Sequence, residues 1–140
     1  MERLRSKDGP PPSSLQEIRP LVLIDTTQLA LERSISGASQ RHEALAANIA
    51  NASTPGYRRV DVDFHGTLAA AMGSGDKATV EHTAFTTQAD QSVGVTQADG
   101  NSIDVDNESA KLAANALEQQ AAVSVLKART AIIRSALGVA

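Results

Sequence analysis

Apolar residues recur at alternating intervals of four and three in two stretches of the chain, and the first stretch follows Asp25. The Asp25 carboxylate can accept hydrogen bonds from the next amides, and Gln28 stands three residues on, as in a capping box. The spacing is the heptad pattern of a helix packed along another at a shallow angle, and it predicts a helix over residues 26–52. The predicted seam consists of Ile24, Gln28, Leu31, Ile35, Ala38, His42, Leu45, Ile49 and Ala52.

The second stretch begins after Asp104 and Asp106, either of which can cap a helix, and Glu108 suits the positive end of the helix dipole. A helix over residues 106–137 is predicted. Its seam consists of Leu112, Ala116, Gln119, Val123, Leu126, Thr130, Ile133 and Leu137. A flanking stripe broadens the apolar face beyond one seam, and its members are Leu117, Ala121, Val125, Ala128, Ile132 and Ala136.

The chain between the two helices is predicted to be extended, flexible or weakly β. Proline disfavours a helical residue before it, so Thr54 and Pro55 end the first helix, and the pair Pro55-Gly56 suits the centre of a type II turn. Apolar and polar residues then alternate over 60–65 as in a short strand, and residues 67–72 suit one helical turn. From residue 73 to residue 100 the sequence is polar without a sustained period, which predicts a long loop.

These elements predict a mainly α fold, in which two long terminal helices pack as an antiparallel, coiled-coil-like hairpin. The expected divisions are a disordered, proline-rich lead-in (1–20), the first helix with its turn (21–57), the middle segment (58–103) and the second helix (104–140). A lone pair of such helices is marginal, since ordering each residue costs about 1–2 kcal/mol of backbone entropy. The second apolar stripe therefore indicates burial against neighbouring molecules.

Composition narrows the class of protein. The 140 residues include one Tyr, two Phe and no Trp, so an interior must rest on aliphatic residues. The net charge of −3 without a basic face gives no support for nucleic-acid binding. Cysteine is absent, which removes thiolate sites. No apolar run approaches a membrane span or the core of a signal peptide, so export by the general secretory route is not expected.

Residues with catalytic or metal-binding chemistry are few and scattered. His42 lies on the first seam, where a polar residue more often sets register, and His65 and His82 have no partner at ligand spacing. The pair Asp104 and Asp106 fails the pattern of a calcium-binding loop, so capping is the better interpretation. The sequence contains no phosphate-binding glycine loop and no nucleophile elbow. We expect no enzyme activity, cofactor, metal ion or small-molecule substrate.

The segment from Leu45 to Tyr57 reads LAANIANASTPGY. It resembles the N-terminal signature of the bacterial flagellar axial proteins, the family of rod, hook and hook-associated subunits. The continuation RRVDVDF, the later run DGNSIDVD and the short length are similar to the proximal rod members of that family. The resemblance covers roughly residues 26–70 and 94–138.

What the resemblance implies is a structural subunit of the proximal rod of the flagellar basal body, transmitting torque as part of the axial drive shaft. Its expected partners are copies of itself, other rod proteins, the adapter between the rod and the membrane ring, and the flagellar type III export apparatus, which would export it uncleaved. A soluble helical adaptor or regulatory coiled-coil module is the alternative, although such a module needs no turn of this kind.

The predicted assembly and turn residues are Asn48, Ile49, Asn51, Thr54, Pro55, Gly56 and Tyr57. The predicted helix-packing residues are Leu31, Ile35, Leu45, Leu112, Leu117, Val123, Leu126, Ile133 and Leu137.

Overall fold

The longest two helices lie side by side in opposite directions. A computed structural model of the chain describes residues 25–90 and 103–138, so the predicted lead-in of residues 1–20 lies outside the described part. Helix α1 spans Thr26–Ala50 and the long C-terminal helix spans Val105–Ala136. Asp25 pairs with Arg129 at one end of the pair, and Asn48 bonds Glu108 at the other. The antiparallel helical hairpin predicted from the heptads is confirmed.

Aspartate side chains begin both long helices. Asp25 accepts the Gln28 amide at 2.9 Å, and Asp104 accepts the amides of Asp106 and Asn107 at 3.0 and 3.1 Å. Each contact satisfies amides that have no partner within the helix. The capping box at Asp25 is half formed, because the Gln28 side chain donates to Glu32 Oε1 instead.

The middle of the chain is more helical than the sequence predicts. It contains strand β1 (Val60–Asp61), helices α2 (Phe64–Gly73) and α3 (Lys77–Glu81), and strand β2 (Gln88–Ala89). Strand β2 pairs antiparallel with β1. The long C-terminal helix is numbered α4. The expectation of a single helical turn at 67–72 is too short. The expectation of a loop from residue 73 is wrong at α3, and residues 91–102 lie outside the described part of the chain. Local caps explain α2 and α3, since Asp63 and Asp76 accept their first amides.

A small core forms between α1 and this middle segment, on α1's other side from α4. Phe64 and Phe85 meet edge to face with ring centroids 6.2 Å apart. Aliphatic residues from α1, α2, α3 and the position after β1 complete the cluster, which includes Leu29, Ala38, Ala44, Val62, Leu68, Ala71 and Val80. The structure thus has a core that contains both phenylalanines beside the helical seam, whereas composition predicted an interior that rests on aliphatic residues.

The seam between α1 and α4 differs from the predicted one in its register on α4. Ala38 and Leu45 are buried on α1 as predicted, but Asn115 is buried on α4 in place of its neighbour Ala116. The covered positions of α4 still follow one another at steps of four and three, with Asn115, Ala122 and Arg129 standing one residue before the predicted positions 116, 123 and 130. Three predicted seam positions are consequently exposed: Ala116, Thr130 and Leu137.

Gly37 lies where Phe64 presses on α1. A Cβ atom on Gly37 would stand 2.6 Å from Phe64 Cβ and 2.7 Å from Cγ, closer than carbon atoms pack. The absence of a side chain at this position therefore lets the ring approach the helix backbone. The glycine that weakens α1 locally is required by the packing of α2.

We predict that Gly37→Ala lowers the free energy of unfolding by about 1–3 kcal/mol, because the added methyl group overpacks the core. Gly73→Ala is the matched control, since its added methyl group, at the end of α2, would have no other atom within 4 Å. That control should be neutral or stabilising by up to about 1 kcal/mol, the difference in helix propensity. Urea unfolding followed by circular dichroism measures both, and equal stability of the two variants would contradict the assigned contact.

Candidate functional site

Asn48 joins the end of α1 to the strand that returns after the turn. Its Nδ2 donates to the Val60 carbonyl at 2.7 Å, and its Oδ1 accepts the Val60 amide at 2.9 Å. The side chain is fully buried and so pairs with the backbone as a neighbouring strand would. The side-chain amide of Asn48 therefore fixes where β1, the strand after the turn, lies against α1.

The turn between α1 and β1 has the geometry that the pair Pro55-Gly56 predicts. The Tyr57 amide donates to the Thr54 carbonyl at 3.2 Å, and Gly56 has φ of 72°, as position three of a type II turn requires. Asn51 supports the turn from beneath, since its Nδ2 donates to the Ala47 carbonyl and its Oδ1 accepts from Thr54 Oγ1. Pro55 and Gly56 are exposed at its tip.

Glu108, in the first turn of α4, is the most buried carboxylate in the described chain, with 2% of its surface exposed. Its Oε2 accepts from Asn48 Nδ2 at 2.9 Å. Its Oε1 accepts from Arg59 Nε at 2.6 Å and from Lys111 Nζ at 3.1 Å. A buried carboxylate is tolerated only when its oxygens are paired in this way. Glu108 therefore connects the start of α4 to Asn48, which lies before the turn, and to Arg59, which lies after it.

Arg59 lies at the centre of this polar cluster. Besides Glu108, its guanidinium contacts Asp90, at the end of β2, and Asp61 Oδ2 at 2.9 Å. Asp61 also accepts a two-pronged contact from Arg41 Nε and Nη2 at 2.9 and 3.4 Å. Three cations thus face three carboxylates, which offsets the cost of burying them. We call Asn48, Arg59, Asp61, Asp90 and Glu108 the polar lock.

The pKa directions agree with this geometry. Burial acts to raise the pKa of Glu108, but hydrogen bonds from Arg59, Asn48 and Lys111 outweigh it and hold the pKa below its ordinary value. The pKa of Asp61 is lowered in the same way, with burial opposed by Arg41 and Arg59. For Arg59, burial opposes the charge, and its bonded carboxylates raise the pKa nonetheless. These directions keep Arg59, Asp61 and Glu108 charged near neutral pH.

A second polar contact crosses the middle of the helix pair. Asn115 Nδ2 donates to the Ala38 carbonyl at 2.8 Å, and the side chain is buried. A buried amide in a helical seam stabilises one register over others, because any slip leaves it unpaired. His42, which the sequence indicated as a register residue, is half-buried one turn further along α1.

An apolar stripe runs along the outer side of α4. Leu117, Val125 and Ile132 are 69%, 53% and 70% exposed. At 100° per residue, this stripe is centred about 120° round the helix from the side that contacts α1. Leu117 therefore makes no contribution to the pairing with α1, and its packing role stays a prediction. We call Leu117, Ala121, Val125, Ala128 and Ile132 the outer stripe.

The other predicted packing residues lie as follows. Leu45 is buried, and Leu31 and Ile35 are half-buried on α1. On α4, the half-buried positions are Leu112, Val123, Leu126 and Ile133, while Leu137 is 57% exposed. Of the turn residues, Asn48 is buried, Ile49, Asn51 and Tyr57 are half-buried, and Thr54 is exposed with Pro55 and Gly56. The structure therefore brings Asn48 and Tyr57 into the polar lock region, with the turn's tip outside it.

Arg59, Asp61 and Glu108 are functional residues that sequence reasoning missed. Glu108 stands four residues before Leu112 and seven before Asn115, so it lies on the seam that the structure shows and not on the predicted one. A charge at a seam position needs a partner, but the sequence offers no way to choose Arg59 among thirteen basic residues.

The histidines are placed separately, and no metal site joins them within residues 25–90 and 103–138. His65 Nε2 lies 2.5 Å from Glu118 Oε1 on α4, and His82 ends α3. No group of three or more histidine and carboxylate side chains in that part of the chain could hold a metal ion.

An open cavity of about 500 Å³ beside the polar lock is lined by Arg41, Asp61, Asp63, His65 and Asp90, among others. Within the same ranges, no helix has the length and apolar character to cross a bilayer.

Comparison with known proteins gives consistent matches. The family model for the flagella basal body rod protein matches residues 34–58, which span about the last two thirds of α1 and the turn after it. The flagellar basal body rod protein FlgB of Escherichia coli K12 is 35% identical over 123 residues, covering 74% of this chain and 89% of that protein. FlgB of Salmonella typhimurium is 33% identical with the same coverage, and FlgB of Cereibacter sphaeroides is 33% identical over 105 residues, covering 69% and 82%.

We predict that acid destabilises the protein through the polar lock. The pKa of folded Glu108 lies below its ordinary value of 4.5, so its stabilising contribution is complete above about pH 4.5 and is lost as the pH falls through the lower, folded value. Glu108→Gln should lower the free energy of unfolding at pH 7 by about 1–3 kcal/mol and flatten its decline between about pH 5 and pH 3. Some slope should remain, because Asp61 also titrates with a lowered pKa.

Urea midpoints measured across this pH range provide the test. Glu43→Gln, at an exposed position of α1, is the matched control and should leave both the stability and its pH dependence unchanged. A Glu108→Gln profile that is as steep as that of the unmodified chain would show that the lock is not the source of the acid sensitivity.

Proposed function

The chain belongs to the family of the flagellar basal body rod protein FlgB, and on that basis we propose that it is built into the proximal part of the rod, through α4 and the turn after α1. As a member of this family it is a structural subunit of the basal body rod and assembles with other rod components. The relatives that it matches are structural rod proteins, so the generic helical adaptor is not favoured.

The outer stripe is the observation that carries the proposal. Five consecutive positions of the stripe face away from α1, and the three large side chains among them are more than half exposed. Contiguous apolar surface of this kind is costly on a chain that remains alone in water and marks an interaction surface. In the proposed rod, neighbouring subunits cover the outer stripe, and the helix pair lies within the shaft.

The turn contributes a second proposed contact. Pro55 and Gly56 project from the end of the helix pair, while Asn48 and Asn51 hold the turn's base. A rigid tip requires no ordering when a neighbour binds it, which lowers the entropy cost of assembly. We propose that the polar lock serves this presentation and that the tip contacts an adjacent subunit. Ile49, Thr54 and Tyr57 complete the proposed assembly motif.

The remaining partners follow from the same family membership. We propose self-association in the rod, contact with the adapter that joins rod and membrane ring, and transmission of torque along the shaft. We also propose export by the flagellar type III apparatus without cleavage. The antiparallel helix pair supports the mechanical role, since the Asp25–Arg129 salt bridge at one end and the Asn48–Glu108 hydrogen bond at the other oppose sliding of the helices past one another.

We predict that Leu117→Glu blocks assembly of the rod, because a carboxylate cannot be buried in an apolar contact without a partner. The folded monomer should change in stability by no more than about 0.5 kcal/mol, since Leu117 is exposed in it. The readout is swimming motility, together with recovery of the protein in purified basal bodies, when the variant replaces the chromosomal copy.

Gln120→Glu is the matched control, because it adds the same charge on an exposed side of α4 outside the outer stripe. It should preserve motility. Normal motility of the Leu117→Glu strain, or a motile strain in which the gene has been deleted, would argue against the proposal.

We predict that Gly56→Val also prevents assembly while leaving expression intact. Gly56 has φ of 72°, a conformation that costs an ordinary L-residue about 1–2 kcal/mol and a β-branched residue more. No atom lies within 4 Å of the position of an added Cβ, so the effect comes from the backbone alone. Gly56→Asn should retain motility, because asparagine tolerates the left-handed region. Equal motility of the two strains would remove the turn from the assembly motif.

A further inference from the structure

The tip of the turn after α1 carries a single charged side chain. Residues 53–58 read STPGYR, and Arg58 is exposed. None of the ion pairs found within residues 25–90 and 103–138 includes its guanidinium. The turn therefore presents an unpaired cation at the end of the helix pair.

The open cavity beside the polar lock is set back from this tip. We call it the side cavity. Its lining includes three carboxylates, those of Asp61, Asp63 and Asp90, and one guanidinium, that of Arg41. Arg41 precedes Asn51, where α1 ends, by ten residues, or about 15 Å along the helix. The volume of about 500 Å³ lies in the range of about 300–1,000 Å³ that binding sites occupy.

One carboxylate of the side cavity has no cation beside it. Asp61 and Asp90 are both paired with Arg59 in the polar lock. Asp63 is exposed, and its Oδ1 accepts the amide of Gly66 at 3.0 Å, which caps α2. No basic side chain in the described ranges forms an ion pair with Asp63. Its charge is therefore available to a cation from another molecule.

We propose that the turn tip of one copy of the chain docks at the side cavity of an adjacent copy, where Arg58 pairs with Asp63. The contact presupposes the self-association proposed above and names the place on the neighbour that the tip meets. A guanidinium can donate two parallel hydrogen bonds to a carboxylate, which fixes orientation as well as distance. Because the tip and the cavity are different surfaces, the contact is heterologous and can repeat from copy to copy.

Charge and rigidity favour a second copy as the occupant. The chain itself supplies an exposed arginine on a turn that is already held in shape, by the Thr54–Tyr57 hydrogen bond and by Asn51 beneath. Docking such a turn loses little conformational entropy. An exposed ion pair adds little affinity, but it decides which surfaces meet. In the proposed rod the outer stripe supplies apolar contact, and the pair of Arg58 and Asp63 sets the offset between neighbours.

Cross-linking between differently tagged copies tests this contact in the assembled rod. The chain lacks cysteine, so one copy receives Ser53→Cys, at the exposed start of the tip, and the other receives Gln88→Cys, on the lining of the side cavity. Both substitutions retain Arg58 and Asp63. The two copies are expressed in the same cells, and purified basal bodies are treated with a short bis-maleimide. The control replaces Gln88→Cys by Ser135→Cys, an exposed position at the opposite end of the helix pair.

The tip and cavity cysteines should cross-link at least about tenfold faster than the control pair, because contacting surfaces meet at a high effective concentration. Adding Arg58→Glu to the tip copy should abolish the difference. If both tagged copies are recovered in basal bodies and cross-link no faster than the control, the docking is wrong while the proposed rod function stands. If neither copy, nor the tagged chain without cysteine, is recovered in basal bodies, both fail.

A charge test keeps the cysteines out of the experiment. Arg58→Glu places two like charges together in the proposed contact, so the swimming halo should shrink at least about twofold. Adding Asp63→Asn removes the repulsion, and asparagine still caps α2, so motility should recover. Lys127→Glu, at an exposed position of α4 outside the outer stripe, is the matched control and should swim normally. Normal motility of the Arg58→Glu strain, or no recovery on adding Asp63→Asn, would overturn the contact.

Discussion

The buried carboxylate of Glu108 is the constraint on which the arrangement of the other elements depends. A charge with 2% of its surface exposed must be matched by donors, and these come from three different places: Asn48 at the end of α1, Arg59 before β1 and Lys111 on α4 itself. Arg59 extends the network to Asp61 and Asp90. Moving any one of these segments leaves a buried charge without its partner, so the turn, the small sheet and the start of α4 hold one another in place.

Helix α1 contacts both α4 and the middle segment, and it uses different sides for the two. One side packs on α4 and the other packs on the core that contains Phe64. Gly37 and Ala38 stand next to each other at this point, with Gly37 against Phe64 and the Ala38 carbonyl bonded to Asn115. Only Gly37 reduces the intrinsic stability of α1, since alanine favours a helix, and both small residues allow a close approach of a neighbouring element. Gly37 lowers the helix propensity of α1 at this point and permits the close contact with Phe64.

Polar and apolar groups are distributed in the manner of a subunit rather than a free-standing domain. Buried ionic and amide groups specify the register of the hairpin through the polar lock and Asn115, while large apolar side chains remain outside on α4. Specific internal contacts fix the shape of the molecule, and the large side chains of the outer stripe are exposed, as the proposed association requires. The family to which the chain belongs, that of a basal body rod protein, accounts for this division, since a rod forms only when each subunit offers surface to the next.

Features that depend on nearby residues could be predicted from the sequence: the two long helices, their aspartate caps, the Pro55-Gly56 turn and the antiparallel hairpin. These follow from periodicity and backbone preferences, which act over a few positions. Contacts between residues that are far apart emerged only in the folded chain, such as Glu108 with Arg59, 49 positions away, and Asn115 with Ala38, 77 positions away. The same holds for the formation of α2 and α3, because these short helices gain stability only when Phe64, Leu68 and Val80 are buried against α1. Pairing partners at such separations are chosen by the geometry of the whole fold, and no local pattern encodes them.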